Sequence, residues 1–278
     1  MVNNQPDKLW GAGKMSLSPT SLSSLRLKYC LDNLKQIKTP SKTKIKLKVL
    51  EVGCGAGMFC LAIHNFRRDL EIYGCDKSIK SLRVAKKRSK TIQFKFGDVY
   101  KLPYKNSYFD ALVMFDVFEH LTYPNKALNE IMRVLKPGGI FHLYVPCEGN
   151  LYTLHGILNK IGFGYRTKKK YSGHVQQFET SKLLKMLKRN GLRVEKIRYS
   201  SHFLGQLIDL SYFWFLALLG HNVDTTVEGY VESTNKRDLI KNMLFLFKNI
   251  LSVLMYVESS LLYFVPSHGV HLYLKKNT

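Results

Sequence analysis

A glycine-rich turn near residue 53 constrains the fold of this 278-residue chain more than any other feature. Residues 49–52 have the composition of a short buried strand, Gly53, Gly55 and Gly57 end it, and residues 58–66 have the pattern of a helix. Glycine permits backbone conformations and close approaches that side chains forbid, and the first turn of a helix presents free N–H groups. A strand, a glycine turn and a helix in this order indicate a ligand site at the carboxyl end of a parallel strand.

The segments that follow alternate between the strand and helix patterns. Strands are predicted at 71–75, 92–96, 111–115, 140–145, 193–199 and 270–274, and helices at 79–88, 125–135 and 180–189. Strands that alternate with helices favour right-handed crossovers and a parallel sheet. We therefore predict a doubly wound, Rossmann-like α/β fold, with a mostly parallel seven-stranded sheet and helices on both faces.

The composition is that of an ordered globular protein with a strongly basic surface. Hydrophobic residues make up 45% of the chain and charged residues 23%, which excludes a disordered chain. The 43 Lys and Arg residues outnumber the 20 Asp and Glu residues, giving a net charge of +23. This charge favours lipid headgroups, nucleic acid or acidic metabolites as partners without choosing among them. A generally lysine-rich composition would also produce it.

The N-terminal residues and the cysteines indicate a cytoplasmic location. The first residues lack the charged-then-apolar pattern of a secretory signal. The five cysteines are an odd number without a C-x-x-C pair, as expected for reduced thiols.

Five motifs in order carry a family resemblance. They are Glu51 two residues before the first glycine, Asp76 after the second strand, Phe96-Gly97-Asp98-Val99 after the third, Phe109-Asp110-Ala111-Leu112-Val113 at the fourth, and Leu135-Lys136-Pro137-Gly138-Gly139 before the fifth. Their order and spacing resemble those of class I S-adenosylmethionine-dependent methyltransferases, closely over residues 49–146 and more loosely over 173–199.

This resemblance implies a cofactor and a role for each acidic residue. The expected cofactor is S-adenosylmethionine, with Glu51 at the methionine amino group, Asp76 at the ribose hydroxyls and Asp98 at the adenine amino group. The implied cofactor-binding residues are Glu51, Gly53, Cys54, Gly55, Gly57, Asp76, Lys77, Asp98, Val99 and Phe115.

The segment after the fourth strand, residues 115–121, is expected to lie where the methyl group points. It lacks the Asn/Asp-Pro-Pro-aromatic loop that is typical of methylation at base amino groups. The pair Pro146-Cys147 resembles the nucleophile motif of cytosine-carbon methylases, but the companion cysteine motif is absent. Both observations argue against a nucleic-acid base as the acceptor.

The sequence Asp116-x-x-Glu119-His120 resembles the Glu-x-x-Glu-His of quinone-biosynthesis O-methyltransferases, which implies a divalent metal near the acceptor. The same Glu-His-Leu ending occurs without metal across the superfamily, and we predict no metal here, although the sequence leaves the question open.

His120 can instead serve as a general base, since imidazole titrates near neutrality. His174 is a second candidate, with a structural role before the helix at 180 as its alternative. The expected catalytic residues are Glu119, His120 and His174.

Two apolar segments, 203–219 and 239–265, stand where this family usually has a short connection. Neither contains eighteen clean apolar residues, so a spanning helix is not expected. They form either a hydrophobic lid over the site or a membrane-interface element, and both alternatives favour an apolar acceptor. We therefore divide the chain into an arm and helix (1–40), an S-adenosylmethionine-binding methyltransferase core (41–200), an apolar helical insert (201–266) and a final core strand (267–278).

The predicted function is methylation of an oxygen atom on a hydrophobic or lipid-linked small molecule, with S-adenosylmethionine as methyl donor. A basic RNA methyltransferase is one alternative, in which the lysine-rich segments 42–48 and 166–170 contact phosphates. A non-catalytic protein that uses the cofactor fold for binding is the other. The expected location is cytoplasmic, with peripheral contact to the inner face of the membrane if the insert is an interface element. The acceptor atom and the oligomeric state stay open.

Overall fold

The computed structural model describes residues 11, 13, 15–21, 23–37, 46–160, 173–219 and 239–278, and in the two helices of the insert it describes the side chains of 203–211 and 246–261. The lysine-rich segment 166–170, most of the segment 42–48 and the first ten residues lie outside this part. So do the side chains of Phe213, Trp214 and Phe215.

The described chain forms seven strands and eight helices. The strands are β1 (Leu47–Val52), β2 (Leu70–Asp76), β3 (Gln93–Phe96), β4 (Phe109–Phe115), β5 (Leu135–Pro146), β6 (Leu192–Ser200) and β7 (Gly269–Lys276). The helices are α1 (Ser24–Leu34), α2 (Met58–Phe66), α3 (Ile79–Arg88), α4 (Pro124–Val134), α5 (Leu154–Lys160), α6 (Thr180–Arg189), α7 (Phe203–Leu219) and α8 (Leu239–Leu261), with a short 3-10 turn at Phe118–His120.

The strands form one sheet in the order β3-β2-β1-β4-β5-β7-β6. β1 to β5 pair in parallel, and β7 runs antiparallel to both of its neighbours. The order of the strands reverses on either side of β1 and β4, so the carboxyl ends of these two strands flank a crevice where ligands bind in such sheets. The predicted fold class is confirmed.

Two apolar layers cover the sheet, as strand alternation requires. Leu50 and Leu112 face a layer that includes α4 and α6, whereas their neighbours Val49 and Ala111 face a layer built with α1, α2 and α3. These strand residues are fully buried. Because both faces are covered, the strands read as nearly continuous apolar runs rather than as alternating ones.

One strand begins earlier than the sequence predicts. The sequence predicts the fifth strand at 140–145, but β5 already starts at Leu135, which pairs with Phe109 across an irregularity in the register. Leu135 is fully buried, and the ammonium group of Lys136 lies 2.6 Å from the Asp110 carboxylate of β4. Burial and this ion pair keep the segment on the sheet although Gly138 turns through a positive φ of 69°.

The helices α7 and α8 attach to the end of β6. The Glu258 carboxylate accepts hydrogen bonds from the Leu204 N–H at 3.1 and 3.2 Å, which caps the start of α7. The Tyr199 N–H of β6 donates to the Tyr263 carbonyl at 2.7 Å. No helix in the described ranges combines the length and apolar character needed to cross a bilayer.

Candidate active site

The glycine turn after β1 is built from left-handed backbone conformations. Gly53, Gly55 and Gly57 have φ values of 77°, 52° and 81°, a region that side chains disfavour. A Cβ atom on Gly53 would collide with the side chain of Val117, which lies just after β4. The turn therefore packs directly against the segment that leads to Glu119.

Glu51 lies at the end of β1 beneath this turn and is only 3% exposed. Its Oε2 atom has no hydrogen-bond partner in the described part of the protein. Burial raises the pKa of this carboxyl group to about 8. A buried acid with one unpartnered oxygen is costly by itself, so its position fits a ligand that brings a positive charge or a donor.

Asp76 ends β2 and organises the turn that it faces. One carboxylate oxygen accepts the Gly55 N–H at 2.7 Å, and the other accepts the Ser78 N–H at 2.8 Å at the start of α3. Each carboxylate oxygen has a second lone pair, so Asp76 can still accept hydroxyl groups. The resemblance implied a role toward ribose alone, and the structure adds a second role in fixing the glycine turn.

The ends of β2 and β3 lie side by side, with Asp76 and Phe96 as register partners. Asp98 follows β3 and is exposed, with its carboxylate accepting the Tyr100 N–H at 2.9 Å. Phe96 and Ile79 are 58% and 57% exposed, which is unusual for large apolar side chains beside two acids. They offer apolar faces for a flat ring next to Asp98, and the sequence analysis did not select them.

The other predicted cofactor residues occupy different environments. The Cys54 thiol is buried within the turn, Lys77 is exposed, and Val99 is half-buried. Phe115 is buried at the end of β4, where its ring stacks on Phe59 with centroids 3.8 Å apart. Phe115 thus forms the floor of the crevice.

Glu119, His120 and His174 meet at the carboxyl end of β4. The Nε2 atoms of His120 and His174 lie 4.0 and 3.9 Å from Oε1 of Glu119, and the two rings contact edge to face with centroids 4.9 Å apart. The backbone holds this arrangement, because the N–H groups of Val175 and Gln176 both donate to the Glu119 carbonyl at 3.0 Å. The three residues that the sequence selected are therefore neighbours.

Burial shifts the pKa values of Glu119 and His120 in opposite directions. Burial, and then the nearby Asp116, raises the pKa of Glu119 to about 8, so this carboxyl is mostly neutral at pH 7. Burial and the adjacent His174 lower the pKa of His120 to about 4, so its ring is neutral at pH 7. His120 also contacts the Gly173 carbonyl through Nδ1 at 3.1 Å.

Glu148 contacts the Nδ1 side of His174. The sequence analysis did not select it. Its carboxylate lies 2.9 Å from Nδ1 of His174, and Glu148 itself is 1% exposed. A carboxylate on one ring nitrogen fixes the tautomer and turns the other nitrogen, Nε2, toward the crevice. The only signal in the sequence was the position of Glu148 two residues after the end of β5, where ligand-facing residues of such sheets are found.

Asp116 is engaged elsewhere. Its carboxylate forms an ion pair with Arg26 of α1 at 2.5 Å, and Arg26 also donates to the Tyr144 hydroxyl at 3.2 Å. The three-residue metal set that the resemblance implied, with Asp116 as its first acid, is therefore not assembled. Glu119, His120 and His174 do place one donor atom each within 4.8 Å of one another.

Cys147 does not have the properties of a nucleophile. It is fully buried, and burial raises the pKa of its thiol to about 12. The resemblance of Pro146-Cys147 to the cytosine-carbon methylases therefore carries no matching chemistry here.

Comparison with known proteins gives a methyltransferase context for this site. A family model described as a methyltransferase domain matches residues 50–143. The chain is 34% identical to a demethylmenaquinone methyltransferase of Paenarthrobacter aurescens over 116 residues, covering 40% of this chain and 45% of that protein. It is 26% identical to the mitochondrial ubiquinone biosynthesis O-methyltransferase of Rattus norvegicus, covering 64% of this chain and 54% of that protein. The chain thus spans about half the length of these curated relatives.

Solved structures share the fold. A putative sarcosine dimethylglycine methyltransferase from Galdieria sulphuraria superimposes with a TM-score of 0.57 at 14% identity, covering 91% of this chain and 86% of that chain. A geranyl diphosphate methyltransferase gives a TM-score of 0.54 at 13% identity, covering 91% and 77%. At these identities the likeness concerns the fold alone.

Proposed function

We propose, starting from the class I S-adenosylmethionine-dependent methyltransferase domain that this chain carries, that the protein methylates an oxygen atom of an apolar acceptor. S-adenosylmethionine is the cofactor of this domain and supplies an electrophilic methyl group when bound. One observation carries the proposal. Glu119, His120 and His174 lie together beside the glycine turn, and the carboxylate of Glu148 contacts His174.

The chain offers a cofactor contact at each strand end along the crevice. The buried carboxyl group of Glu51 suits the methionine amino group, because the ammonium ion would compensate an acid that has an unpartnered oxygen. Asp76 suits the ribose hydroxyls through its remaining lone pairs, and Asp98 with Phe96 suits the adenine edge and face. Gly55 lets the backbone pass close to the methionine tail.

His174 is the residue best suited to take the proton from an acceptor hydroxyl. Glu148 holds its Nδ1 side at 2.9 Å, which stabilises the imidazolium ion that forms when Nε2 accepts a proton. His120, with its lowered pKa, is a weaker base. Glu119 is mostly neutral at pH 7 and can donate a hydrogen bond, which orients the acceptor oxygen or the neighbouring ring.

An exposed apolar stripe along α8 supports an apolar acceptor. Phe247, Ile250, Leu254, Val257 and Leu261 repeat at intervals of three and four residues and are 47–67% exposed. This spacing puts them on one face of the helix over about 21 Å. Leu262, Tyr263, Phe264 and Val265 continue the exposed apolar surface beyond the helix. Contiguous surfaces of this kind mark a partner or membrane site.

We further propose that this stripe contacts the membrane surface rather than forming a packed lid. A lid would bury the described side chains of α8, whereas the stripe is open to solvent. The net charge of +23 adds attraction to anionic lipid headgroups. Two relatives, named as a demethylmenaquinone methyltransferase and a ubiquinone biosynthesis O-methyltransferase, give independent support for a lipid-like acceptor.

The direct test supplies methyl-labelled S-adenosylmethionine together with total lipid extract or total RNA. We expect label in the lipid fraction. The labelled product should resist alkaline conditions, as an ether does. Label in RNA would overturn the proposed acceptor class and leave the methyltransferase domain untouched. An absence of transfer with tight binding of S-adenosylhomocysteine would instead favour the non-catalytic alternative.

Glu51 predicts a pH-dependent cofactor affinity. Its pKa of about 8 means that the unliganded protein carries a proton there below pH 8, and the cofactor ammonium group requires that proton to leave. The affinity for S-adenosylhomocysteine should therefore rise by up to about tenfold per pH unit between pH 6 and 8. Calorimetry at pH 6.5 in two buffers of different ionisation enthalpy measures the released proton. Glu51→Gln should show no proton release, and equal release in the variant and the parent protein would contradict this role.

A further inference from the structure

A second cluster of titratable side chains lies outside the residues used above for methyl transfer. It consists of His155 on α5, Asp209 on α7 and His268, the residue just before β7. One donor atom from each residue lies within 4.8 Å of the other two. His155 and His268 are 2% and 7% exposed, and the Asp209 side chain is 34% exposed. Two buried imidazoles and a carboxylate with access to solvent thus converge from three separate elements.

His155 faces an oxygen atom on each ring nitrogen. Its Nε2 lies 2.8 Å from Oδ2 of Asp209, and its Nδ1 lies 3.4 Å from Oε1 of Gln206. The orientation of the Gln206 amide is set, because its Nε2 donates to the Ser267 hydroxyl at 3.3 Å. A neutral imidazole has one N–H, so only one of these two contacts can be a hydrogen bond that the ring donates. A metal ion between Nε2 and Asp209 would leave the Nδ1–H for the Gln206 oxygen.

The third donor favours a metal ion over a proton. His268 stacks on His155 with centroids 4.3 Å apart and 19° between the ring planes. Two imidazoles and a carboxylate are a frequent ligand set for Zn²⁺. Nε2 of His268 also lies 3.8 Å from Oε1 of Glu148, so the two histidine clusters are neighbours. The Gln206 contact on the far side of His155 matches the outer hydrogen bond that orients metal-bound histidines.

We propose that His155, Asp209 and His268 bind Zn²⁺, with water completing a tetrahedral site. Donors at about 2.1 Å from zinc stand about 3.4 Å apart, so binding draws the three donors together and tilts the His268 ring out of its stack. The ion then ties α7, the first helix of the apolar insert, to α5 and to the start of β7. Nitrogen ligands disfavour Mg²⁺, which prefers oxygen donors and retains water.

The test is calorimetry of the full chain with zinc chloride alone, after treatment with a chelator. We expect one site whose affinity falls at least about tenfold in Asp209→Asn and in Gln206→Leu, which remove a ligand and an outer hydrogen bond. Asp209→Asn keeps the shape of a partly exposed side chain, and an unchanged melting temperature without zinc shows that the variant is folded. His64→Gln, at a half-buried histidine on α2, should bind zinc as the parent does.

Two further measurements locate the ion. Co²⁺ should give the intense visible absorption of a tetrahedral site in the parent protein and lose it in His268→Gln. His120→Gln should keep the site, because His120 belongs to the other histidine cluster. Zinc affinity that is unchanged in Asp209→Asn, or lost only in His120→Gln, would overturn the proposal, as would displacement of zinc by millimolar Mg²⁺. None of these readouts uses methyl transfer, so the result is independent of the proposed function.

Discussion

Replacing His174 by Gln is expected to lower kcat at least about 100-fold while leaving the Kd for S-adenosylhomocysteine unchanged. The reason is that a positioned general base contributes roughly 10²- to 10⁴-fold to a proton-transfer step, and the amide cannot accept the hydroxyl proton. The cofactor contacts proposed here come from β1, β2 and β3, whereas His174 lies on the segment that packs against the end of β4. Single-turnover rates with the identified lipid acceptor, combined with calorimetry, measure both quantities.

Two matched variants make the result interpretable. His64→Gln changes a half-buried histidine of α2 that is hydrogen-bonded to Arg68, and it should leave kcat unchanged. Glu148→Asp should retain more activity than Glu148→Ala, because the aspartate keeps a carboxylate behind Nδ1 of His174. A His174→Gln enzyme with kcat within about twofold of the parent would show that another group removes the proton.

Most of the fold could be predicted because its signals are local. The helices α2, α3 and α6 begin and end where periodicity places them, with Gly57 before α2 and Gly191 after α6. The parallel pairing of β1 to β5 follows from alternation and from the handedness of crossovers, whereas the place of the antiparallel β7 between β5 and β6 does not. The early start of β5 was not predictable, because it depends on the burial of Leu135 and on the pairing of Lys136 with Asp110 of another strand.

The sequence selected Glu119, His120 and His174, but the contacts that bring them together could not be predicted from it. Glu119 and His120 are adjacent in sequence, and the approach of His174 depends on backbone bonds between two segments more than fifty residues apart. The pairing of Asp116 with Arg26 spans ninety residues and removes Asp116 from the metal set that its motif implied. Long-range side-chain pairs of this kind leave no periodic trace in one sequence, so Glu148 and Arg26 were both missed.

The second helix of the insert contains a periodic apolar pattern that the sequence analysis did not resolve. The sequence analysis describes residues 239–265 only as an apolar segment. Inside it, Phe247, Ile250, Leu254, Val257 and Leu261 follow a three-four repeat, the spacing of one helix face. The structure shows that this face is exposed along the described part of α8. A periodic stripe that stays exposed is the signature of an interface, and periodicity alone cannot distinguish it from a buried one.

Replacing Phe247, Leu254 and Leu261 by Ser is expected to abolish flotation of the protein with anionic vesicles. These side chains are 61%, 47% and 67% exposed. Moving the exposed part of each side chain from water into lipid should gain about half of its full transfer free energy, or about 1 kcal/mol. Three such losses amount to about 3 kcal/mol, which weakens partitioning by roughly 150-fold. Because these side chains pack only partly against the protein interior, the melting temperature should hardly change.

The control is a comparison of single variants. Phe66→Ser removes a 51% exposed apolar side chain on α2, away from the stripe, and should not change flotation, whereas Leu261→Ser should weaken it by about fivefold. Raising the salt concentration should weaken binding further in the parent, because the basic surface contributes attraction to anionic lipid. A triple variant that floats as the parent does would remove the membrane role from α8. One that loses several degrees of melting temperature and keeps its flotation would show that the stripe packs as a lid, and the apolar acceptor would then have to reach the crevice from solution.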